Sequence, residues 1–312
     1  MKKLSLLILF AVFTVFGAKG QNLLKTDWST GDMHLYCHEV NGSTYTFSVG
    51  FIHDAGGDLI LKKVSENVFE AVNPENFKYG ATYVKATLKT INCPKTGSTK
   101  YFRFEDAKGN LLGIFPQYND NYSDMTTMTD VLEGTYKGND GKTYIFNGKT
   151  LTINGQSSEI EPLQCEFGYV NGFKYKGTKY CFKISEKGIN LYTTNTDDSE
   201  FEYEPDKLWV KLTLEDKTND GRWTITKNKI VLEAYVGYYT KSLARIMRNE
   251  IYARHGYNFN SADLKTYFGS KPWYKPVANN SQVKLSELEQ LNIEILKHCE
   301  NNFTWSDNNV DK

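Results

Sequence analysis

Residues Arg248 to Ser261 read RNEIYARHGYNFNS, and this stretch near the end of the 312-residue chain decides how its last part folds. It belongs to an unusual concentration of arginine. The whole chain has five arginines, and three of them, Arg245, Arg248 and Arg254, lie within ten positions. Lysine supplies nearly all the other positive charge. Because the planar guanidinium makes bidentate contacts that lysine cannot make, this concentration indicates contacts with a ligand, a partner or the fold itself.

The stretch predicts an amphipathic helix that ends at Gly256, a residue suited to the left-handed turn after a helix. Glu250 and Arg254 project onto the apolar side, four residues apart with the acid first, which is the favourable order. The apolar side consists of Leu243, Ile246, Met247 and Ile251. We expect Glu250 and Arg254 to form a structural ion pair, because a guanidinium on an apolar face needs a fixed partner. The alternative is that Arg254 lines a pocket and binds an anionic group.

The remaining candidates for ligand binding lie on or just after this helix. Arg248 lies at its flank, and Tyr252 is expected to point away from the apolar side with Arg245 and Asn249. His255 at the helix C-terminus is expected to act as a cap, favoured by the dipole, with a general base as the alternative. Trp273 and Tyr274 lie between two prolines. They are expected to form a hydrophobic lid over the helices, with a stacking platform for a sugar or peptide as the alternative.

Cap signals delimit three helices in this part of the chain. Ser242 is expected to cap the first helix, and Asn260 or Ser261 the second. Ser286, with Glu289 three residues later, predicts a capping box at the start of the third. By contrast, the preceding stretch RWTITKNKIVL predicts one or two strands.

The strings RNEIYARHGYNF, DLKTYFGSKPWYKP and LSELEQLNIEILKHCE, in this order and spacing, resemble the YARHG domain over about residues 240–301. The resemblance implies a bacterial, extracytoplasmic domain that is joined to varied partner domains. It implies a domain and a compartment rather than a reaction. The positions of interest under the family pattern are Arg248, Asn249, Glu250, Tyr252, Arg254, His255, Trp273 and Tyr274.

The first residues, MKKLSLLILFAVFTVFGAKGQ, predict a secretory signal peptide over residues 1–20 with cleavage near Gly20. No cysteine follows the apolar run, so no lipoprotein anchor is expected, and no further long apolar segment predicts a spanning helix. Removal of this segment takes three lysines from 37 basic residues and leaves a net charge of −3. That balance disfavours nucleic acid as a partner. We expect a secreted or periplasmic protein of unknown oligomeric state.

From Gln21 to about Leu214 the pattern consists of short aromatic and β-branched segments separated by turn pairs such as Asn41-Gly42 and Asp140-Gly141. Such pairs supply the positive φ angles of tight hairpins. The predicted class is α+β: antiparallel β-rich modules, as a meander or small barrel, followed by a small, mostly helical domain. We expect one β module at 21–129 and a second at 130–219, with the helical domain at 220–312. The polar stretch 118–130 is interpreted as a linker.

Weak internal similarity predicts that the second β module repeats the first. NGSTYTF at 41–47 is similar to DGKTYIF at 140–146, and STKYFRFEDAKGN at 98–110 is similar to GTKYCFKISEKGIN at 177–190.

Five cysteines indicate a poor disulfide framework. An oxidising compartment permits a Cys37–Cys93 bond, whereas strand parity disfavours Cys165–Cys181. Cys299 is expected to be a buried thiol in the last helix. His34, Cys37 and His38 suggest a metal site, but on a strand the two histidines face away from the cysteine, so no metal or cofactor is expected.

The function expected from these features is that of a non-catalytic, envelope-associated protein that binds a glycan or peptide. Two alternatives remain. One is a small-ligand carrier with a lipocalin-like barrel site, and the other is a hydrolase that uses His255. The sequence contains no Gly-x-Ser-x-Gly nucleophile elbow, no His-Glu-x-x-His zinc-binding helix and no phosphate-binding loop. Enzymatic activity is therefore disfavoured but left open.

Overall fold

The computed structural model describes residues 22–31, 33–51, 55–119, 122, 124–163, 171–185, 187–197, 203–215 and 221–302. The expected signal peptide and Cys165 lie outside these residues. The described chain contains sixteen antiparallel strands followed by a helical segment, which confirms the predicted α+β class.

The first β unit is an eight-stranded meander in which each strand pairs with the next along the chain. Its edges approach each other, because Trp28 bridges Gln117 and the Tyr118 N–H donates to the Asp27 carbonyl at 2.8 Å. Phenylalanines dominate the interior, with Phe47, Phe102 and Phe104 fully buried. The strands are β1 (Asp27–Ser29), β2 (Met33–Asn41), β3 (Thr44–Phe51), β4 (Ala55–Ser65), β5 (Val68–Ala71), β6 (Lys85–Cys93), β7 (Gly97–Glu105) and β8 (Leu111–Pro116).

The segment interpreted as a linker contains a helix instead, α1 (Asp124–Leu132). Met128, Val131 and Leu132 on this helix are buried in the main core. The polar composition concealed this, because Tyr122 and Met128 are the buried aromatic and apolar residues within 118–130, while Val131 and Leu132 lie just beyond it.

The second β unit closes into an eight-stranded barrel, in which the last strand pairs with the first. Its interior is filled with side chains: Phe146 and Phe173 are buried with ring centroids 6.0 Å apart. The strands are β9 (Gly134–Gly138), β10 (Thr143–Asn147), β11 (Thr150–Ile153), β12 (Gln156–Leu163), β13 (Gly172–Tyr175), β14 (Thr178–Ile184), β15 (Gly188–Thr193) and β16 (Lys207–Leu214). The predicted hairpin turns at Asn41-Gly42 and Asp140-Gly141 are confirmed.

The C-terminal segment is helical: α2 (Ile225–Asn228), α3 (Glu233–Gly237), α4 (Lys241–Arg254), α5 (Ala262–Gly269) and α6 (Glu287–Asn302). The strands predicted in RWTITKNKIVL are wrong, since α2 occupies this stretch. Side chains rather than a neighbouring strand satisfy its backbone: Glu250 accepts from Arg222 and Trp223, and Asn292 accepts from Val231. The cap of α4 is Thr240, whose side chain accepts from the Leu243 N–H, and not Ser242.

One apolar core joins the helical segment to both β units. It combines Ile91 and Tyr101 of the first unit, the interior of the barrel, and the inner faces of α4 and α6, with Met247 and Ile295 fully buried. A second core fills the first unit, and a small aromatic core lies between α4, α5 and the loop that follows α5.

The disulfide between Cys37 and Cys93 is not formed. The two thiols lie in different cores, Cys37 inside the first unit and Cys93 in the main core. Cys299 is buried on α6, as expected. Burial raises the pKa of the Cys37 thiol to about 11.

Candidate functional site

Arg245 and Arg248 fasten α4 to the other two long helices of the C-terminal segment. Arg248 donates from Nε and Nη2 to the two carboxylate oxygens of Glu300 on α6, at 2.6 and 3.1 Å. Arg245 donates to Asp263 at 2.6 Å and to Ser261 at 3.3 Å, at the start of α5. The guanidinium groups of both residues are therefore engaged within the fold.

Glu250 and Arg254 meet at 3.2 Å with side chains that are 2% and 6% exposed. Both of them also hold the chain that enters the helical segment. The Glu250 carboxylate accepts the Arg222 and Trp223 N–H groups at 2.9 and 2.7 Å, while Arg254 donates to the Trp223 carbonyl and to Thr226. Burial raises the pKa of Glu250, although Arg254 and the two N–H groups act against this.

Gly221 makes room for this carboxylate. Its φ is +81°, and a Cβ at this position would lie 2.4 Å from the Glu250 carboxyl carbon. Only glycine fits both the left-handed conformation and this close approach.

His255 connects the end of α4 to the start of α6. It shares a hydrogen bond with Glu289 across 2.8 Å, between Nε2 and Oε1. The other Glu289 oxygen accepts from the N–H and hydroxyl of Ser286, and the Glu289 N–H donates to Ser286 Oγ, so the predicted capping box is confirmed. The pKa of Glu289 is lowered: burial acts to raise it, but the hydrogen bonds from His255 and Ser286 outweigh burial. Because Glu289 stands between the histidine and the hydroxyl, His255 is not placed to activate Ser286 as a nucleophile.

Trp273 and Tyr274 pack on the small aromatic core, half-buried against Phe268 and Phe259. The Tyr274 hydroxyl donates to the Tyr257 carbonyl at 2.8 Å. The loop returns to the motif glycine, where the Val277 N–H donates to the Gly256 carbonyl. This placement fits a lid over the helices more closely than a free stacking platform.

Helix α4 is covered on two sides, which differs from the single apolar face expected. Asn249, expected to point away, is buried and donates to the Arg245 carbonyl at 2.8 Å. Ile246 and Tyr252 contact the aromatic core beneath α5. The helical periodicity of the sequence did not indicate this second buried side of α4, because the aromatic residues that cover it are distant in sequence.

Among the predicted site residues, Tyr252 lines an open groove. This groove has a volume of about 750 Å³ and separates the first β unit from the helical segment. One wall carries Leu88, Ile91, Tyr101 and Arg103, and the other Leu285, Gln290, Leu291, Ile293 and Glu294. An ion pair between Arg103 and Glu294 joins the walls. Arg248, Arg254, His255, Trp273 and Tyr274 do not line it.

Sequence reasoning missed two buried polar interactions of the helical segment. Asn292 is fully buried on α6, accepts from the Val231 N–H and donates to the Thr226 and Lys229 carbonyls, each at 2.9 Å. Lys229 and Asp130 form a buried ion pair at 2.7 Å that joins the helical segment to α1. Burial lowers the pKa of Lys229, against the effect of Asp130. Their separation of 99 residues in sequence left no local signal.

The histidines of β2 contact carboxylates rather than each other. His34 lies 3.7 Å from Asp27, and His38 lies 3.2 Å from Asp58. Over the described part of the chain, no group of three or more His, Cys, Asp or Glu residues is arranged to hold a metal ion.

The architecture defines a β-rich protein with a curled sheet, a closed barrel and a small helical domain. Residues 222–301 match the YARHG domain. The match begins earlier than the motif strings indicated and includes Arg222 and Trp223, the residues whose N–H groups Glu250 binds. The β-rich part matches no family model. Neither a curated protein nor a solved structure shows a match to the chain.

Within the described residues, no helix has the length and apolar character needed to cross a membrane.

Proposed function

We propose that this protein is a non-catalytic, extracytoplasmic binding protein that recognises a glycan or peptide of the cell envelope. The observation that carries the proposal is the groove between the first β unit and the YARHG domain. Its volume of about 750 Å³ lies within the range of ligand sites, and junctions between domains are preferred positions for such sites.

The chemistry of the groove suits recognition rather than catalysis. Leu88, Ile91 and Leu291 lie at its base, largely buried. Its charged lining residues balance in sign: Lys89, Arg103, Glu287 and Glu294. Tyr101 and Tyr252 supply aromatic surface with hydroxyl groups, which suits contact with either a sugar or a peptide.

The compartment in this proposal is supported by the sequence and the family. The first 20 residues have the pattern of a secretory signal peptide, and the YARHG resemblance implies an extracytoplasmic domain.

The carrier and hydrolase alternatives have weaker support. An eight-stranded barrel is just wide enough for side chains to fill, and Phe146, Phe173 and Leu151 fill this one. His255 is bound to a carboxylate that is already engaged in a helix cap.

A steric block of the groove tests the proposal. Gln290 and Lys297 are both exposed on α6, but only Gln290 lines the groove. In co-sedimentation of the full mature protein with isolated envelope fragments, we expect Gln290→Trp to weaken binding about tenfold or more. The matched variant Lys297→Trp should bind as the unaltered protein does. Equal binding by all three proteins would refute the groove as the site.

A further inference from the structure

Strand β6 has an open edge that faces the groove. It pairs with β7 along its whole length, from Lys85 to Cys93, but with the short strand β5 only over Lys85–Thr87. The last contact on the β5 side is the Leu88 N–H, which donates to the Asn67 carbonyl at 2.9 Å. Beyond that point no described strand continues the sheet on this side.

The register shows which backbone groups are left open. In an antiparallel pair, successive residues direct their N–H and C=O groups to alternate sides of the strand. Leu88 directs its N–H toward β5, so Thr90 and Asn92 face the same side. No described strand pairs with either residue there, and no described side chain binds their N–H groups. Two donors and two acceptors, spaced as in a β-ladder, therefore lie along this edge.

The groove covers one face of the sheet, where Tyr101 and Arg103 of β7 line it, and also reaches the open edge of β6. Consecutive side chains of a strand point to opposite faces, yet Leu88, Lys89, Thr90 and Ile91 all line the groove. Because Leu88 and Thr90 belong to the set that points away from this face, the groove extends past the face to the edge of β6. The edge ends near Cys93, because the next turn is fixed to the helical domain by the Lys95 N–H, which donates to the Asn228 carbonyl.

We propose that the groove binds an extended peptide, which adds to the sheet as a strand along β6 from Lys89 to Cys93. This inference rests on the proposed function and selects the peptide from its two ligand classes. A peptide that adds to a sheet as a strand forms main-chain hydrogen bonds with the unpaired N–H and C=O groups of the edge. Neighbouring pockets bind every second side chain of the peptide and provide specificity. A glycan has no regular series of amide donors and acceptors to match this spacing.

The walls specify the character of the peptide. One set of its side chains would face the apolar surface of Leu285, Leu291 and Ile293, and the other set would face Thr90 and solvent. The lining carries two basic residues, Lys89 and Arg103, and two acidic ones, Glu287 and Glu294. Because these charges balance, we expect a peptide without net charge in which apolar residues alternate with small polar ones.

Thr90→Pro tests the main-chain contact directly. Proline removes the N–H that a bound strand would use, and proline is tolerated on an edge where that N–H has no partner. Thr90→Ala removes the side chain and keeps the N–H. The probe is an immobilised array of alternating apolar and hydroxyl peptides about seven residues long, with soluble chitin oligosaccharides as the glycan probe. Thermal melts of both variants verify that the fold is kept.

We expect the full mature protein and Thr90→Ala to bind members of the peptide array, and Thr90→Pro to bind about tenfold more weakly or worse with an unchanged melt. Equal binding by the two variants, binding of the oligosaccharide alone, or no binding to any array peptide would overturn strand addition.

Envelope binding distinguishes this proposal from the proposed function. If Gln290→Trp abolishes envelope binding and Thr90→Pro does not, the groove is the binding site but strand addition is wrong. If neither variant changes envelope binding, both proposals are wrong.

Discussion

At the scale of single residues, the arginines of the motif differ in how far their side chains are buried. Arg254 is 6% exposed and binds a carboxylate, a carbonyl and a hydroxyl, whereas Arg248 is 23% and Arg245 38% exposed. The guanidinium groups of all three therefore make contacts within the domain. The helical wheel identified the Glu250–Arg254 spacing because such pairs are local. It could not supply the Trp223 carbonyl or Thr226, which lie 31 and 28 residues away.

This gradient predicts a ranking of alanine variants by free energy of unfolding. Arg254→Ala leaves Glu250 as an uncompensated buried charge and should cost roughly 3–5 kcal/mol. Arg248→Ala should cost about 1 kcal/mol, and Arg245→Ala less than that. Denaturant titration of the three variants provides the measurement. A ranking with Arg254→Ala as the mildest change would show that the guanidinium is not a structural group.

The capping network predicts a pH dependence of stability. Burial acts to raise the pKa of Glu289 above its ordinary value of 4.5, but the hydrogen bonds from His255 and Ser286 outweigh burial and lower it. Its contribution is therefore fully present above that value and is lost as the pH falls through the lower pKa of the folded state. Glutamine at this position can still cap the helix. The unaltered protein should thus lose more thermal stability than Glu289→Gln on acidification, and parallel pH profiles would contradict this account.

At the scale of elements, the turn into the helical domain depends on Gly221. Gly221→Ala would force a side chain into a left-handed conformation and against the Glu250 carboxylate. The backbone strain alone should cost roughly 1–3 kcal/mol. Gly269→Ala is the matched control, since a Cβ there meets nothing within 4 Å. Thermal melts should show a large loss for the first variant and little change for the second, and equal melts would refute the close approach.

Hairpins and helices were predictable where local signals determine them. Asp140-Gly141 fixes a turn by its φ angles, and Ser286 with Glu289 fixes a helix start. The segment RWTITKNKIVL has the β-branched residues typical of a strand, but it is buried beside helices whose side chains bind its backbone. The groove was not predictable either, since its walls come from β6, β7 and α6, which only the tertiary fold brings together.

The spacing of the similar segments supports the predicted repeat, which we retain as a proposal. NGSTYTF leads into β3 and DGKTYIF into β10, while the second pair of similar segments contains β7 and β14. Each pair is thus separated by seven strands, which would align β2–β8 with β9–β15. On this interpretation the curled sheet and the closed barrel are two versions of one meander.

At the scale of the whole molecule, the YARHG domain shares its core with both β units. The buried pair of Lys229 and Asp130 fastens the domain to α1, and Lys95 from the first unit binds the same carboxylate at 3.1 Å. Because this core crosses all the units, we expect unfolding to involve them together.

The buried pair makes a specific prediction. Asp130→Asn should destabilise the protein by roughly 3–5 kcal/mol, because it leaves the Lys229 ammonium buried without its counter-ion. Adding Lys229→Met should recover much of that loss, since a buried ion pair can be replaced by apolar side chains at little cost. Denaturant titration of the single and double variants measures both effects. A double variant less stable than Asp130→Asn would contradict this prediction.

The central claim is that the arginine-rich motif builds the domain while the groove beside it binds the ligand. The most direct test compares Arg248→Ala with Gln290→Trp in envelope co-sedimentation, with a thermal melt of each. The account predicts that Arg248→Ala melts at a lower temperature yet binds when folded, whereas Gln290→Trp melts normally and loses binding. Loss of binding by folded Arg248→Ala, with normal binding by Gln290→Trp, would contradict it and place recognition on the motif.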